Sequence, residues 1–177
     1  MRKEIRKAYA SDIQAICGIY ENIHIEQEKG TIYTGWVRGV YPTKETAEAA
    51  LIRGDLFVEE ADGKIVGTAI INQIQGDVYA RAAWTSPVPK QQVMVLHTLA
   101  IDPYVKGRGY GSDFVAYYEQ YAMKHACQCL RMDTNERNIA ARNFYKQRKY
   151  REVDILPCVF NGIPDVRLVM LEKYLEK

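Results

Sequence analysis

The chain lacks several features that define whole classes of proteins. Its 177 residues include four cysteines, at positions 17, 127, 129 and 158, and their spacing is not that of a zinc site. Cys127 and Cys129 are two apart on a predicted strand, so they share one face as core or near-core residues. We therefore expect reduced thiols in a cytoplasmic protein, without disulfides and without a bound metal.

The sequence also lacks a charge excess and a long apolar run. The formal net charge of +2 gives no support for general binding to nucleic acid or membranes. Residues 1–7 are charged and lead into no long apolar stretch, so we expect neither a signal peptide nor a membrane span. There are no repeats, low-complexity segments or linkers. Hydrophobic content of 47% predicts one globular domain over residues 1–177.

The most informative stretch is residues 93–121. Residues 93–101 are mostly apolar and β-branched, as in a buried strand, and Asp102 and Pro103 end it. Glycines then follow at positions 107, 109 and 111, and an amphipathic run predicts a helix that begins near Gly111 and Ser112. The unit is therefore strand, glycine-rich turn, helix.

Such a unit can bind a phosphate group. Glycines let the backbone approach a ligand closely, and the start of a helix offers N–H groups and the positive end of its dipole. Lys106 and Arg108 add positive charge. The spacing matches neither a nucleoside triphosphatase loop nor a dinucleotide-binding fingerprint. A bare G-x-G-x-G pattern is as often a simple chain reversal, but the flanking strand, helix and basic residues favour anion binding.

Two blocks resemble the GNAT superfamily of acyl-CoA-dependent N-acetyltransferases. Residues 99–103 match its apolar-x-apolar-x-Pro strand end, and residues 106–111 match its [Q/R]-x-x-G-x-[G/A] loop, with Lys106 in place of Gln or Arg. Residues 138–145, NIAARNFY, are similar to its N-x-x-A-x-x-[LF]-Y helix. The family usually follows this helix with Gly-Phe, whereas this chain has Lys149-Tyr150, which predicts a different helix C-cap.

The resemblance implies an α/β fold, a GNAT-like three-layer α/β/α sandwich. Its central sheet would be mixed, mostly antiparallel and splayed apart at the cofactor site. The sequence pattern is consistent with this fold: it predicts strands at 5–9, 56–60, 65–74, 93–101, 128–133, 150–156 and 164–171, helices from 11–12, from 42–43, from 111–112 and over 138–148, and a long loop at 76–92.

The resemblance also implies that acetyl-CoA is the acetyl donor and that no metal takes part. The pantetheine arm would bond the unpaired backbone of the strand end, and the pyrophosphate would lie on the glycine loop. The residues implied to bind acetyl-CoA are Leu99, Ala100, Ile101, Lys106, Gly107, Arg108, Gly109, Tyr110, Gly111, Ser112, Asn138 and Tyr145.

The family's mechanism is direct attack of an amine on the thioester, with both substrates held in one cleft. Tyr145 matches the family's tyrosine that protonates the leaving thiolate, although it could simply pack on the sheet. His97 is the candidate base because its ordinary pKa is near neutrality and, on a regular strand, it shares a face with Leu99. Water is the alternative to His97 as base.

The acceptor is expected to be a primary amine of a small molecule. Aromatic residues in the segments that usually line the family's acceptor pocket could bind it through apolar burial and cation–π contact, or could serve only as packing: Tyr33, Trp36, Tyr41, Tyr79 and Trp84. Alternatives are acetylation of a protein or peptide, a non-catalytic CoA-binding module, and an interaction protein that is a homodimer through its last strands.

Overall fold

A computed structural model of the chain describes residues 2–105 and 107–176. Within these residues it contains seven strands and four α-helices. In chain order they are β1 (Lys3–Lys7), α1 (Ile13–Glu28), α2 (Lys44–Arg53), β2 (Leu56–Ala61), β3 (Lys64–Asn72), β4 (Val93–Ile101), α3 (Tyr110–Lys124), β5 (Cys129–Asn135), α4 (Ile139–Gln147), β6 (Arg151–Phe160) and β7 (Ile163–Tyr174).

The strands form a mixed sheet in the order β1-β2-β3-β4-β5-β7-β6. The pairs β1–β2, β2–β3, β5–β7 and β6–β7 are antiparallel, whereas β4 and β5 are parallel. The predicted α/β class with a mixed, mostly antiparallel sheet is confirmed.

Most element boundaries lie close to those predicted, and β4 has the predicted bounds. The first strand is displaced: it spans Lys3–Lys7 and not residues 5–9. Tertiary contacts explain the earlier start, because Lys3 pairs with Ala61 in the ladder and its Nζ lies 2.8 Å from the Asp113 carboxylate. Tyr9 lies beyond the strand and precedes a short 3-10 helix.

Backbone contacts divide the chain into two compact units. The first comprises residues 2–32, 36–71 and 97–118. In its main apolar cluster, one face of α1 and one face of α2 pack against β2 and β3. The fully buried Ile16, Ala47 and Ala50 belong to this cluster. The helix predicted from residues 42–43 begins at Lys44 with Thr43 as its N-cap, and Thr43 N donates to Thr46 Oγ1 at 3.0 Å in a capping box.

The second unit comprises residues 33–35, 72–96 and 119–176. Its β5 strand pairs with residues 93–96 of β4 on one side and with β7 on the other. Cys127 and Cys129 are buried there, and the structure has all four cysteines as free thiols. The single domain over residues 1–177 stays a prediction.

Candidate active site

The glycine loop has the backbone conformation that its composition predicts. Gly107 and Gly109 have φ angles of 84° and 83°, in the left-handed region that favours glycine. A Cβ atom added at either position would meet no atom within 4 Å, so the loop is open on those sides. Lys106, the first predicted loop residue, lies outside the described residues.

Helix α3 begins at Tyr110, one residue before the predicted start. Its first helical hydrogen bond runs from Asp113 N to Gly109 O at 2.9 Å. The N–H groups of residues 110–112 therefore lie in the first turn, before the intrahelical hydrogen bonds begin. The Tyr110 ring is buried in an apolar cluster with Val66, so this residue can offer a ligand only its backbone. The described part of the loop therefore fits a diphosphate group.

Strand β4 has an irregularity at Thr98, whose φ is 51°. Positive φ is rare for a β-branched residue and costs on the order of 1–3 kcal/mol. The Thr98 hydroxyl is hydrogen-bonded to the Tyr41 hydroxyl, which holds the side chain in this conformation. Because the strand is not regular at this point, simple alternation does not place His97 and Leu99 on one face.

The residues beside Thr98 differ in burial. Ala100 is buried, while His97, Leu99 and Ile101 are half-buried. The parallel ladder with β5 covers residues 93–96, and β4 continues beyond it to Ile101.

Tyr145 lies on α4, whose start is fixed by Asn138. The Asn138 side-chain oxygen accepts a hydrogen bond from Ala141 N at 3.1 Å, so this side chain is an N-cap. The Tyr145 ring is buried and packs edge-on against Phe144 and Tyr150, with centroid distances of 5.2 and 5.9 Å. Burial raises the pKa of Tyr145, and the nearby Asp133 carboxylate raises it further, which keeps its hydroxyl protonated at neutral pH.

Asp133 was not identified from the sequence. It lies half-buried on β5 and accepts a hydrogen bond from the Tyr79 hydroxyl at 2.7 Å. Burial raises the pKa of Asp133 to about 6, although the hydrogen bond from Tyr79 acts in the opposite direction. Its position at the carboxyl end of an apolar strand was the available sequence signal, but only the fold brings it close to Tyr79 and Tyr145.

The predicted acceptor-binding aromatics already make contacts within the protein. The Arg131 guanidinium lies 4.3 Å from the Trp84 ring centre, and that of Arg137 lies 4.6 Å from the Tyr33 ring centre. Trp84 also donates to Tyr79 O at 2.7 Å. Trp36 packs edge-on against Tyr41 at 6.1 Å. A role in acceptor binding stays a prediction for Tyr33, Trp36, Tyr41 and Trp84.

The part of the chain that the structure describes contains neither a metal-binding cluster nor a membrane-spanning helix. No group of three or more histidine, cysteine, aspartate or glutamate residues there could hold a metal ion. Nor does any helix in residues 2–105 and 107–176 combine the length and apolar character needed to cross a bilayer.

The family assignment follows from comparison with known proteins. The model of the acetyltransferase (GNAT) family matches residues 22–150, which is more than half of the chain. The chain belongs to the GNAT family. The resemblance inferred from the two sequence blocks is thereby confirmed.

Relatives and solved structures of GNAT proteins agree with this assignment. The N-acetyltransferase YhfO of Bacillus subtilis is 22% identical over 148 residues, which are 84% of this chain and 89% of YhfO. The N-acetyltransferase MJ1207 of Methanocaldococcus jannaschii is 28% identical over 100 residues, and these span 56% of this chain but only 40% of that protein.

Two solved structures show the shared fold. A GNAT-family acetyltransferase from Streptococcus agalactiae superposes with a TM-score of 0.81 at 22% identity, covering 99% of this chain and 96% of that one. The yncA protein of Salmonella typhimurium, solved with its cofactor acetyl-CoA, superposes with a TM-score of 0.71 at 16% identity, covering 100% of this chain and 96% of that one.

Proposed function

We propose that the protein is a cytoplasmic N-acetyltransferase that transfers the acetyl group of acetyl-CoA to a primary amine of a small molecule. The observation that carries this proposal is the open glycine loop at the start of α3 in a chain of the GNAT family. The loop combines left-handed glycines with a helix N-terminus, which suits a diphosphate. Acetyl-CoA supplies the acetyl thioester.

The residues proposed to hold acetyl-CoA are those implied by the sequence, except that Asn138 is assigned an indirect role. The pyrophosphate is assigned to the backbone of residues 106–112, and the pantetheine arm to the backbone of Leu99, Ala100 and Ile101. The Asn138 side chain is engaged as the N-cap of α4, so we assign it an indirect role: it fixes the helix that carries Tyr145.

Tyr145 is proposed to protonate the leaving sulfur. Its raised pKa keeps the proton on the phenol at neutral pH, where it can donate to a thiolate. Positioning of both substrates can supply roughly 7–11 kcal/mol of the reduction in the barrier. His97 and water stay the proton acceptors suggested by the sequence, and replacing His97 by glutamine tests that residue directly.

The first test is a pair of tyrosine variants. Tyr145→Phe should lower turnover by about 10²-fold or more, the scale of general acid catalysis, with little change in acetyl-CoA affinity. Tyr174→Phe removes an exposed hydroxyl on β7 and serves as the matched control. CoA release measured with a thiol reagent reports turnover, and calorimetry reports acetyl-CoA binding. Equal turnover in wild type and Tyr145→Phe would remove the proposed role.

The acceptor is identified by a screen of amines, polyamines, amino acids, aminoglycosides and peptides. We expect CoA release with a small amine. Release with peptides alone would replace the small-molecule acceptor by a protein or peptide. Acetyl-CoA binding without release by any acceptor would favour a non-catalytic CoA-binding module. Failure to bind acetyl-CoA would favour an interaction protein, and sedimentation would then test for a homodimer formed through the last strands.

A further inference from the structure

The second unit contains a carboxylate, Asp133, that has no role in the proposed mechanism. Asp133 on β5 interacts with Tyr79 through a 2.7 Å hydrogen bond to Oδ2 and electrostatically with Tyr145. Asp133 is also the first residue of β5 past its ladder with β4, whose last pair is Leu96 with Met132. It lies close enough to Tyr145, the proposed proton donor, to affect it electrostatically. The following inference therefore rests on the proposed function.

We infer that Asp133, in place of the His97 or water suggested by the sequence, takes a proton from the ammonium form of the acceptor, with Tyr79 as its positioning residue. Tyr79 donates to Oδ2, and we assign Oδ1 to the acceptor. A primary ammonium ion is the class of ligand that such a carboxylate attracts, because the two carry opposite charges at neutral pH.

The surroundings of Tyr79 explain how it can hold Asp133. The Tyr79 side chain is 4% exposed, and its ring packs against Trp84 at 5.4 Å. Trp84 in turn donates to Tyr79 O at 2.7 Å and lies under the Arg131 guanidinium. The hydroxyl that contacts Asp133 is thus carried by a rigid, packed segment, as a positioning residue requires.

Several titratable groups influence one another around Asp133. Tyr79 comes from the loop before β4, Tyr145 from α4 and Cys158 from β6. The Asp133 carboxylate raises the pKa of both Tyr145 and Cys158, while Arg81 lowers that of Cys158 and Arg148 lowers that of Tyr145. Asp133, with its pKa of about 6, is therefore largely ionised at pH 7 while the Tyr145 hydroxyl remains protonated. The arrangement pairs one proton acceptor with one proton donor.

The proton balance closes with these two residues. The acceptor ammonium gives one proton to Asp133, and the freed nitrogen lone pair forms the N–C bond to the acetyl carbon while the C–S bond breaks. The leaving sulfur takes the proton of Tyr145, and the second proton of the nitrogen restores the Tyr145 hydroxyl. Asp133 then releases its proton to water, so one proton leaves per acetyl group transferred.

The experiment compares Asp133→Asn and Tyr79→Phe with wild type across pH 5–9. In wild type, kcat/KM should rise through a limb near pH 6, as Asp133 ionises. Asp133→Asn should lose that limb and at least about 10²-fold in kcat, with unchanged acetyl-CoA affinity by calorimetry. Asp165→Asn, an exposed aspartate on β7, is the matched control.

Tyr79→Phe gives the signature of positioning. Without the hydrogen bond that lowers it, the pKa of Asp133 should rise, so the limb should move to higher pH while the rate at pH 9 is largely retained. Carboxyl carbon NMR titration of the free protein should show the same upward movement independently of turnover.

The outcomes separate the two proposals. Wild-type protein that binds acetyl-CoA but acetylates no amine contradicts the proposed function. Active wild type, with an Asp133→Asn variant that keeps both the rate and the limb, contradicts the role of Asp133 alone. An Asp133 titration that does not move in Tyr79→Phe contradicts the positioning role of Tyr79, and this result does not depend on whether Asp133→Asn folds.

Discussion

Glu59 on β2 is a carboxylic acid in surroundings that disfavour its charge. Its side chain is 0% exposed, and burial raises its pKa to about 8, with the Asp113 carboxylate adding to the shift and Lys3 opposing it. Asp113 is itself paired with Lys3, whose Nζ is 2.8 Å away. Glu59 is therefore mainly neutral in the folded protein at pH 7.

The raised pKa makes folding stability depend on pH. Between about pH 4.3 and the folded pKa of about 8, Glu59 ionises in the unfolded chain but not in the folded one. Stability should therefore fall with rising pH across this window, by at most about 1.4 kcal/mol per pH unit from this residue. Glu59→Gln removes this titratable carboxyl, so the free energy of unfolding of the variant, relative to that of wild type, should increase from pH 5 to pH 8.

Urea denaturation at several pH values measures this difference, with Glu4→Gln as the control for removing a glutamate at an exposed position of β1. A difference between wild type and Glu59→Gln that stays constant from pH 5 to pH 8 would show that Glu59 is ionised in the folded protein.

Individual functional residues could be identified from the sequence only where they belong to a motif. Tyr145 and the loop glycines follow from local spacing. Asp133 and Glu59 could not be found in this way, because their raised pKa values come from burial in the fold and are then modified by Tyr79 and Asp113, each 54 positions away in sequence. The positive φ of Thr98 likewise has no local sequence signal, and its hydroxyl is hydrogen-bonded to Tyr41, which is distant in sequence.

At the scale of elements, the long loop at 76–92 is held to the sheet by a buried ion pair. Glu172 on β7 accepts hydrogen bonds from the backbone N–H groups of Thr85 and Ser86, both at 3.0 Å, and from Arg131 Nε at 3.1 Å. Arg131 also donates to Ser86 O at 3.2 Å. Burial alone would raise the pKa of Glu172, but these hydrogen bonds outweigh it and the pKa is lowered.

Removing Arg131 should therefore be costly. Arg131→Met leaves Glu172 buried without its cation, and we expect a loss of about 3–5 kcal/mol in the free energy of unfolding. The double variant Arg131→Met with Glu172→Gln should recover part of this loss, because the uncompensated charge is gone. Chemical denaturation of the two variants and wild type gives the values. A loss below about 1 kcal/mol for the single variant would contradict the structural role of the pair.

Element positions were predicted well where apolar periodicity was strong, as in β4 and the hairpin of β2 and β3. The end of α4 was predicted less well. Lys149 has a φ of 66°, in the left-handed region that favours glycine, and Tyr150 N donates to Tyr145 O at 3.1 Å. The cap geometry is thus kept by a lysine, which the absence of glycine had concealed.

At the scale of the whole chain, strand order is what the sequence leaves open. The last two strands, which the sequence pattern predicts next to one another in the chain, form an antiparallel pair. That β7 inserts between β5 and β6 could not be predicted, because either member of a hairpin can present an apolar face to β5. The fold of the whole chain was predicted from the family resemblance and not from apolar periodicity.

Binding of acetyl-CoA should stabilise the folded chain as a whole. A ligand that binds only the folded state at 100 times its dissociation constant adds about 2.7 kcal/mol to the free energy of unfolding. Two glycines offer a matched pair for testing where this energy arises. Gly109 in the loop and Gly63 in the β2–β3 turn have φ angles of 83° and 79°, and a Cβ at either would meet no atom within 4 Å.

Alanine at either position should cost roughly 1–2 kcal/mol of stability, because a side chain disfavours positive φ. Only Gly109→Ala should also be stabilised less by acetyl-CoA. The backbone of this variant must move to relieve the strain of an alanine at positive φ, and this is the backbone that we assign to the diphosphate. Thermal unfolding with and without acetyl-CoA measures both effects. If Gly109→Ala gains as much stability from acetyl-CoA as Gly63→Ala does, the diphosphate does not lie on this loop, and the proposed function loses the observation that carries it.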